Sequence, residues 1–301
     1  MRPMRIALCQ AHSEVATEGH DPRDANLAHA VELIGRAAEE GANLAVFGEV
    51  FLNGYRSDAF LRDVSSRLDP PDEHVARLVE VSRETGVWVV MGLSRMGSIY
   101  PGNLFNTNVL IGPEGVVGSY DKVHVANFVL PDGTVATEMV YWDVGHAYQV
   151  FDTPWCRVGL QICRDVRYPE ASRVLTLLGA ELIVNSTAAP VVKRPEEWRV
   201  EHFSTTRAIE NQVWFAMSGV LGEQRDMTML GNSRLVSPTG EVVVKVPDFE
   251  EAVVVCEIDI DAVARERALT HVLDRRVPSA YAPITESHQD LARRSAATDA
   301  E

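Results

Sequence analysis

The chain has 301 residues, 46% of them hydrophobic, which is enough for one large α/β domain with a substantial core. Its 43 acidic against 28 basic side chains leave a net charge of -15, which argues against nucleic acid and anionic membranes as partners. The N-terminus reads as entering a strand with no apolar leader, no run is long enough to span a bilayer, and four cysteines without paired spacing argue against a disulfide framework or a zinc site, so a reducing cytoplasm is the expected location.

A strand is expected over residues 4–10, then a helix over about 24–40 with Leu27, Val31, Ile34 and Ala38 as its apolar stripe. A strand over 43–48 closes on Glu49, and a helix over about 73–85 and a strand over 87–94 follow. Strands over 104–111 and 115–121 flank Gly112-Pro113-Glu114-Gly115, a hairpin signal, and the second leads into Lys122. A short buried strand then ends on Cys163. Val158, Leu160 and Ile162 fall on one of its faces, and Gly159, Gln161 and Cys163 on the other. Pro169 opens a helix to about Ala180, with Leu175 and Leu178 to bury and Gly179 to terminate it. The pattern continues with a strand over 181–185, a helix over about 196–211 and a strand over 213–219. Strands near 232–237, 241–246 and 252–258 finish it. This alternation predicts an α/β fold, and periodicity alone does not separate two packed sheets from one doubly wound sheet.

Three of these strand ends carry reactive side chains, at the edge where α/β sheets place ligand sites. The thiol of Cys163 faces a helix start, where backbone N–H groups and the positive end of a dipole are expected to favour thiolate. Cys9, Cys156 and Cys256 sit in apolar runs and read as small buried hydrophobes. Glu49 and Lys122 supply a candidate base and a candidate oxyanion stabiliser. The plainer alternatives are a cap or salt-bridge partner for Glu49 and a surface position for Lys122.

The same residues resemble the motifs of the nitrilase superfamily of carbon–nitrogen hydrolases. The resemblance rests on Phe47-Gly48-Glu49, on Tyr120-Asp121-Lys122-Val123-His124, and on Cys163 followed by Asp165 and Pro169-Glu170, in that order. It extends from Met4 to about Pro283 and includes the segments Arg207–Val213 and Ser237–Glu241. It implies a four-layer αββα sandwich of two packed mixed sheets with outer helices, over residues 1–285. Residues 286–301 are left as a small, polar tail expected to fray. It also implies a thioester mechanism without metal or cofactor: Cys163 as nucleophile, Glu49 as general base and acid, and Lys122 with the backbone N–H after Cys163 stabilising the oxyanion. Glu138, sixteen residues beyond Lys122, matches the spacing of the ω-amidase branch and would orient Lys122 or the leaving group. A free surface glutamate is the alternative.

What the resemblance implies for substrate is an amidase releasing ammonia from a small aliphatic amide or ω-amide. An N-carbamoyl amino-acid hydrolase is the runner-up, ahead of a nitrilase or a silent binding subunit. True nitrilases carry Trp-Glu after the nucleophile, where this chain has Arg164-Asp165. Arg164 and Arg167 could offer a guanidinium to a substrate carboxylate; alternatively Arg167 pairs with Asp165 or Glu170 and Arg164 faces solvent. Tyr55, Phe128 and Trp198 are the aromatics expected near the acyl group, each equally suited to the core. Thr187, Ala188 and Ala189 belong to an unusual loop whose alanines leave space. The resemblance also implies a homodimer or higher homo-oligomer, with Val277–Pro283 crossing to the partner.

Overall fold

The computed structural model describes residues 1–100, 102–129, 135–191, 197–287 and 289–291, without the side chains of Phe128, 135, 136 and 197–201. Its first part runs β1 (Pro3–His12), α1 (Arg23–Glu39), β2 (Leu44–Val46), α2 (Leu61–Val64) and α3 (Glu73–Thr85). Then come β3 (Trp88–Met96), β4 (Leu104–Gly112), β5 (Gly115–Asp121), β6 (Asn127–Val129) and β7 (Val135–Thr137). The second part runs β8 (Val150–Asp152), β9 (Arg157–Ile162), α4 (Pro169–Leu177), β10 (Leu182–Thr187) and α5 (Glu197–Asn211). It closes with β11 (Trp214–Gln224), β12 (Met227–Leu230), β13 (Arg234–Val236), β14 (Val242–Lys245), β15 (Ala252–Asp259) and α6 (Asp261–Thr270).

The strands form two mixed halves. One has the order β15-β1-β2-β3-β4-β5, with β1, β2 and β3 parallel. The other has the order β14-β13-β11-β10-β9-β8, with β9, β10 and β11 parallel. They join at one seam, where Ala11 and His12 of β1 pair with Val220 and Leu221 of β11. Elsewhere the halves face each other. Ile6, Leu8, Leu44, Val46 and Val90 pack with Val158, Leu160, Leu182, Val184 and Ala216 between them.

The opposite strand faces hold the helices. Ala7, Cys9, Ala45 and Met91 pack with Leu33 and Ile34 of α1 and Leu78 and Val81 of α3. On the other side Ile183, Phe215 and Met217 pack with Leu175 of α4 and Ala208 of α5. The layers are therefore helix, sheet, sheet, helix, the αββα sandwich. Because the central strands are covered on both faces, their sequences read as nearly continuous apolar runs. No helix of the described residues is long and apolar enough to cross a membrane.

Some expected details are corrected. The face of α1 that is fully buried is Ala30, Leu33, Ile34 and Ala37, and Leu27, Val31 and Ala38 flank it half-buried. Leu178 is not buried but 46% exposed, because α4 has already ended at Leu177 and Gly179 takes the left-handed turn. Strands β6, β7, β8 and β12, each of three or four residues, and helix α6 were not expected. Of the tail, residues 288 and 292–301 lie outside the described residues.

Strand direction sets up the site. The reversals from β3 to β4 and from β4 to β5 cancel, so β5 ends at the same edge of its sheet as β2. The parallel seam between β1 and β11 brings the ends of β9, β10 and β11 to that edge too.

Candidate active site

Glu49, Lys122 and Cys163 each stand within three residues of the ends of β2, β5 and β9, so all three leave the same edge of the sandwich. The Glu49 turn passes tightly over β3. A methyl group on Gly92 would lie 2.2 Å from the Gly48 carbonyl oxygen and 2.6 Å from the Val50 nitrogen, so only glycine permits this approach. The Glu49 N–H donates to the Thr187 carbonyl at 3.3 Å, tying this turn to β10 in the opposite half.

The Glu49 carboxylate is fully buried. Its Oε1 accepts from Lys122 Nζ at 2.5 Å and from Asn106 Nδ2 at 2.8 Å, and its Oε2 accepts from the Ala188 N–H at 3.0 Å. Lys122 Nζ also donates to both oxygens of Glu138, at 3.0 and 2.8 Å. Glu138 is 4% exposed, not a surface glutamate, and further accepts from the Tyr55 hydroxyl at 2.7 Å and the Ala126 N–H at 2.6 Å.

One buried ammonium thus serves two buried carboxylates, leaving an excess negative charge. Burial raises the pKa of Glu49 above the usual carboxylate range, and Glu138 adds to this against the pull of Lys122. For Lys122 burial acts downward, but Glu138 and Glu49 together hold the ammonium above its ordinary value. Burial and the same two carboxylates keep the Tyr55 hydroxyl protonated as a donor.

Cys163 has a φ of 42°, a left-handed conformation that non-glycine residues rarely adopt. Its side chain takes a hydrogen bond from Thr187 and feels the charges of Glu49 and Lys122. The expectation of a thiolate is corrected here. Burial, then the Glu49 charge, push the thiol up to about 12, and Lys122 only partly offsets them. The carboxylates that neutralise Lys122 explain why a neighbouring ammonium does not yield a thiolate.

The structure therefore brings Glu49, Lys122, Glu138, Cys163, Tyr55 and Thr187 together, and Ala188 joins them through its backbone. The Ala188 methyl packs with Val50, Tyr55, Trp142, Met227 and Met229 beside the charged cluster. Arg164 is half-buried in the 3-10 turn Cys163–Arg167. Arg167 is exposed and lays its guanidinium 5.4 Å from the Phe203 ring centre on α5. The expected pairing of Arg167 with Asp165 is not where Asp165 spends its oxygens, which take Tyr120, His124 and the Ile162 N–H. The side chains of Phe128 and Trp198 lie outside the described residues.

Sequence reasoning missed Asn106, Tyr120 and Asp165 as supports of the cluster. A signal existed for Asn106: β4 reads Leu-Phe-Asn-Thr-Asn-Val-Leu-Ile-Gly, and amides inside an apolar buried strand need partners.

Three comparisons bear on this arrangement. The profile of the family described as carbon-nitrogen hydrolase matches residues 5–268. The chain is 32% identical over 250 residues to a nitrilase of Pyrococcus abyssi, covering 81% of this chain and 87% of that protein. It is 30% identical over 284 residues to an omega-amidase of Homo sapiens, covering 94% and 98%. Among solved structures it is similar to a mutant of the amidase from Nesterenkonia sp. AN1 in which acrylamide has undergone Michael addition at the active-site cysteine. That likeness has a TM-score of 0.72 at 25% identity, over 90% of this chain and 97% of that one.

Proposed function

The chain belongs to the carbon-nitrogen hydrolase family and is a hydrolase of carbon–nitrogen bonds other than peptide bonds, and on that premise we propose an amidase that releases ammonia from small aliphatic amides or ω-amides through a thioester on Cys163. The observation that carries this reading is the buried Glu49–Lys122–Glu138 cluster, with the Cys163 thiol close enough to feel all three charges. The name of the human relative and the cysteine adduct of the Nesterenkonia amidase add support.

In this mechanism the thiol is protonated at rest. Glu49, made more basic by burial, takes its proton as the sulfur attacks the amide carbonyl carbon. The oxyanion meets the Lys122 ammonium and the Arg164 N–H, charges and dipoles already in place. The proton on Glu49 passes to the amide nitrogen, the carbon–nitrogen bond breaks, and ammonia leaves a thioester behind. Glu49 then takes a proton from water, whose oxygen attacks the thioester. Collapse returns the acid and the Cys163 thiol. Glu138 keeps Lys122 ionised and pointed at the reacting carbonyl throughout.

On the Ala188 side the cluster is bordered by apolar side chains, Val50, Trp142 and Met229 among them. An N-carbamoyl amino acid is the alternative substrate class, since its carbamoyl nitrogen and carboxylate would suit the same machinery. Ammonia release across a panel of amides, nitriles and N-carbamoyl acids tests the assignment. Turnover of amides supports it, and CO2 release from the carbamoyl acids with no amide turnover would overturn it.

The protein acts as a homodimer in this reading, in the cytoplasm, where the four free thiols suit a reducing medium. Val174 and Leu177 of α4, Leu178 just after it and Ile209 of α5 are 38–49% exposed on one helical layer and would be covered by a second copy. Light scattering that finds only the 33.2 kDa species at micromolar concentration would remove the dimer.

A further inference from the structure

We infer that Asp165 is a positioning residue that sets Lys122 against Cys163 by gripping the residues on either side of the lysine; the inference rests on the amidase reading above. The Asp165 side chain is fully buried and touches four groups. Its Oδ2 accepts from the Tyr120 hydroxyl at 2.7 Å and from the Ile162 N–H at 3.0 Å. Its Oδ1 accepts from the His124 N–H at 3.1 Å and lies 2.8 Å from His124 Nδ1. Tyr120 is two residues before Lys122 and His124 two residues after it, and Ile162 directly precedes Cys163. One carboxylate therefore links the end of β5, which delivers the lysine, to the end of β9, which delivers the nucleophile.

The surroundings make this link stiff. The Tyr120 hydroxyl also accepts from the Val123 N–H at 3.2 Å, fixing the residue after the lysine. The His124 ring stacks on Tyr168 with centres 3.5 Å apart and planes 5° apart, and the Tyr148 hydroxyl lies 3.1 Å from its Nδ1. Tyr168 in turn opens onto Pro169 and α4. On the other side, the Ile162–Asp165 contact closes the turn in which Cys163 holds its φ of 42°. A strained conformation of this kind persists only where neighbours over-determine it. Asn185 Nδ2 adds a longer tie to the Cys163 carbonyl at 3.4 Å. Asp165 thus restrains the turn that carries the nucleophile as well as the strand end that carries the lysine.

The two consequences of loosening it have opposite signs. Turnover should fall, because the carbonyl carbon and its oxyanion must meet Cys163 and Lys122 together. Alkylation of Cys163 should rise, because a relaxed turn opens the half-buried cysteine further to solvent. Asp165→Asn preserves shape but turns an amide N–H2 or a single acceptor toward donors that needed two oxygens. We expect kcat for propionamide to drop about 100-fold with KM changed less than about threefold, as for a misplacement on the order of an ångström. Iodoacetamide should label Cys163 about fivefold faster than in the parent, since access and thiolate fraction set that rate.

Cys9 and Cys156, both buried, report on the fold in the same experiment. They should stay unlabelled. If they become reactive, Tyr120→Phe replaces the first variant: it removes one of the four contacts, and about a tenfold loss in kcat with faster Cys163 labelling is expected. Unchanged kcat per titratable thiol, or unchanged Cys163 labelling with Cys9 and Cys156 protected, overturns the proposal. Should the parent release no ammonia from any amide, the amidase reading fails, and the labelling comparison alone decides the role of Asp165.

Discussion

Around Glu49, Lys122 and Glu138 the charged atoms are buried and held by neighbours on several strands, whereas Cys163 is partly open to solvent on a backbone with a φ of 42°. The first region comes from the β2, β4 and β5 half, and the second from the tip of β9. The difference follows from what each must do. A base and an electrostatic clamp work best preorganised and dry, where their fields are least screened. A nucleophile has to meet the substrate, so it stands at the mouth and is steadied from behind by Asp165.

The sharpest way to break that division is to remove each side separately. Cys163→Ala should lower kcat by at least about 10⁴-fold, as for loss of a nucleophile elsewhere, with a thermal midpoint close to the parent's. A variant that turns over amides at the parental rate would place the nucleophile elsewhere. Lys122→Met attacks the other region and should do the opposite to the fold. It leaves two buried carboxylates without their counter-ion, at a cost of about 3–5 kcal/mol in urea unfolding. A stability equal to that of Cys163→Ala would show that the cluster is not held as the structure has it.

A smaller effect concerns protons. Amide turnover requires Glu49 ionised, and its pKa is raised from 4.5 by burial and by Glu138. As pH rises, kcat/KM should therefore climb through a limb lying above the ordinary carboxylate range, with no second rise where an ordinary thiol ionises, since burial pushes the Cys163 thiol up to about 12. Glu138→Gln removes a charge that pushes Glu49 upward, so the limb should move to lower pH. The profile would contradict this if the limb stayed put in that variant, or if activity in the parent rose only as an ordinary thiol ionises.

Much of the buried region was legible in the sequence because its causes are local. α3 falls where expected because Asp72 caps it, accepting from the Val75 N–H at 3.0 Å, and Gly86 stops it with a φ of 75°. Glu49, Lys122 and Cys163 were legible as polar residues interrupting apolar strand runs. The ionisation state of Cys163 was not, because it depends first on burial and then on the carboxylates and the lysine that strands far apart in the chain bring around it. The buried face of α1 was misplaced by one row for a similar reason. Alanines 30 and 37 take the fully buried row although they are the smaller side chains, which apolar spacing does not reveal. Three- and four-residue strands such as β8 and β12 carry too little pattern to stand out and exist through their pairing with β9 and β11.

The smallest effect lies in substrate choice, at the open side of the comparison. Both Arg164 and Arg167 follow Cys163 in the same short turn, and both were expected to be able to read a carboxylate. Arg167 is exposed over Phe203, and its outward position should make it indifferent to what the pocket holds. Arg167→Met should then change the ratio of kcat/KM for succinamate over propionamide by less than about threefold, the size of a screened surface contribution. Arg164 is half-buried and adjacent in sequence to the nucleophile, so it is the arginine to test for reading an ω-carboxylate. A charge-assisted hydrogen bond of about 1.5–3 kcal/mol made there would be lost in Arg164→Met, lowering the ratio by roughly tenfold or more while sparing propionamide. If Arg167→Met instead erases the preference, the guanidinium must leave Phe203 when substrate binds, and the turn after Cys163 is more mobile than its hydrogen bonds imply. If neither variant alters the ratio, the pocket discriminates by size alone, through Ala188 and its neighbours, and the enzyme is a general aliphatic amidase.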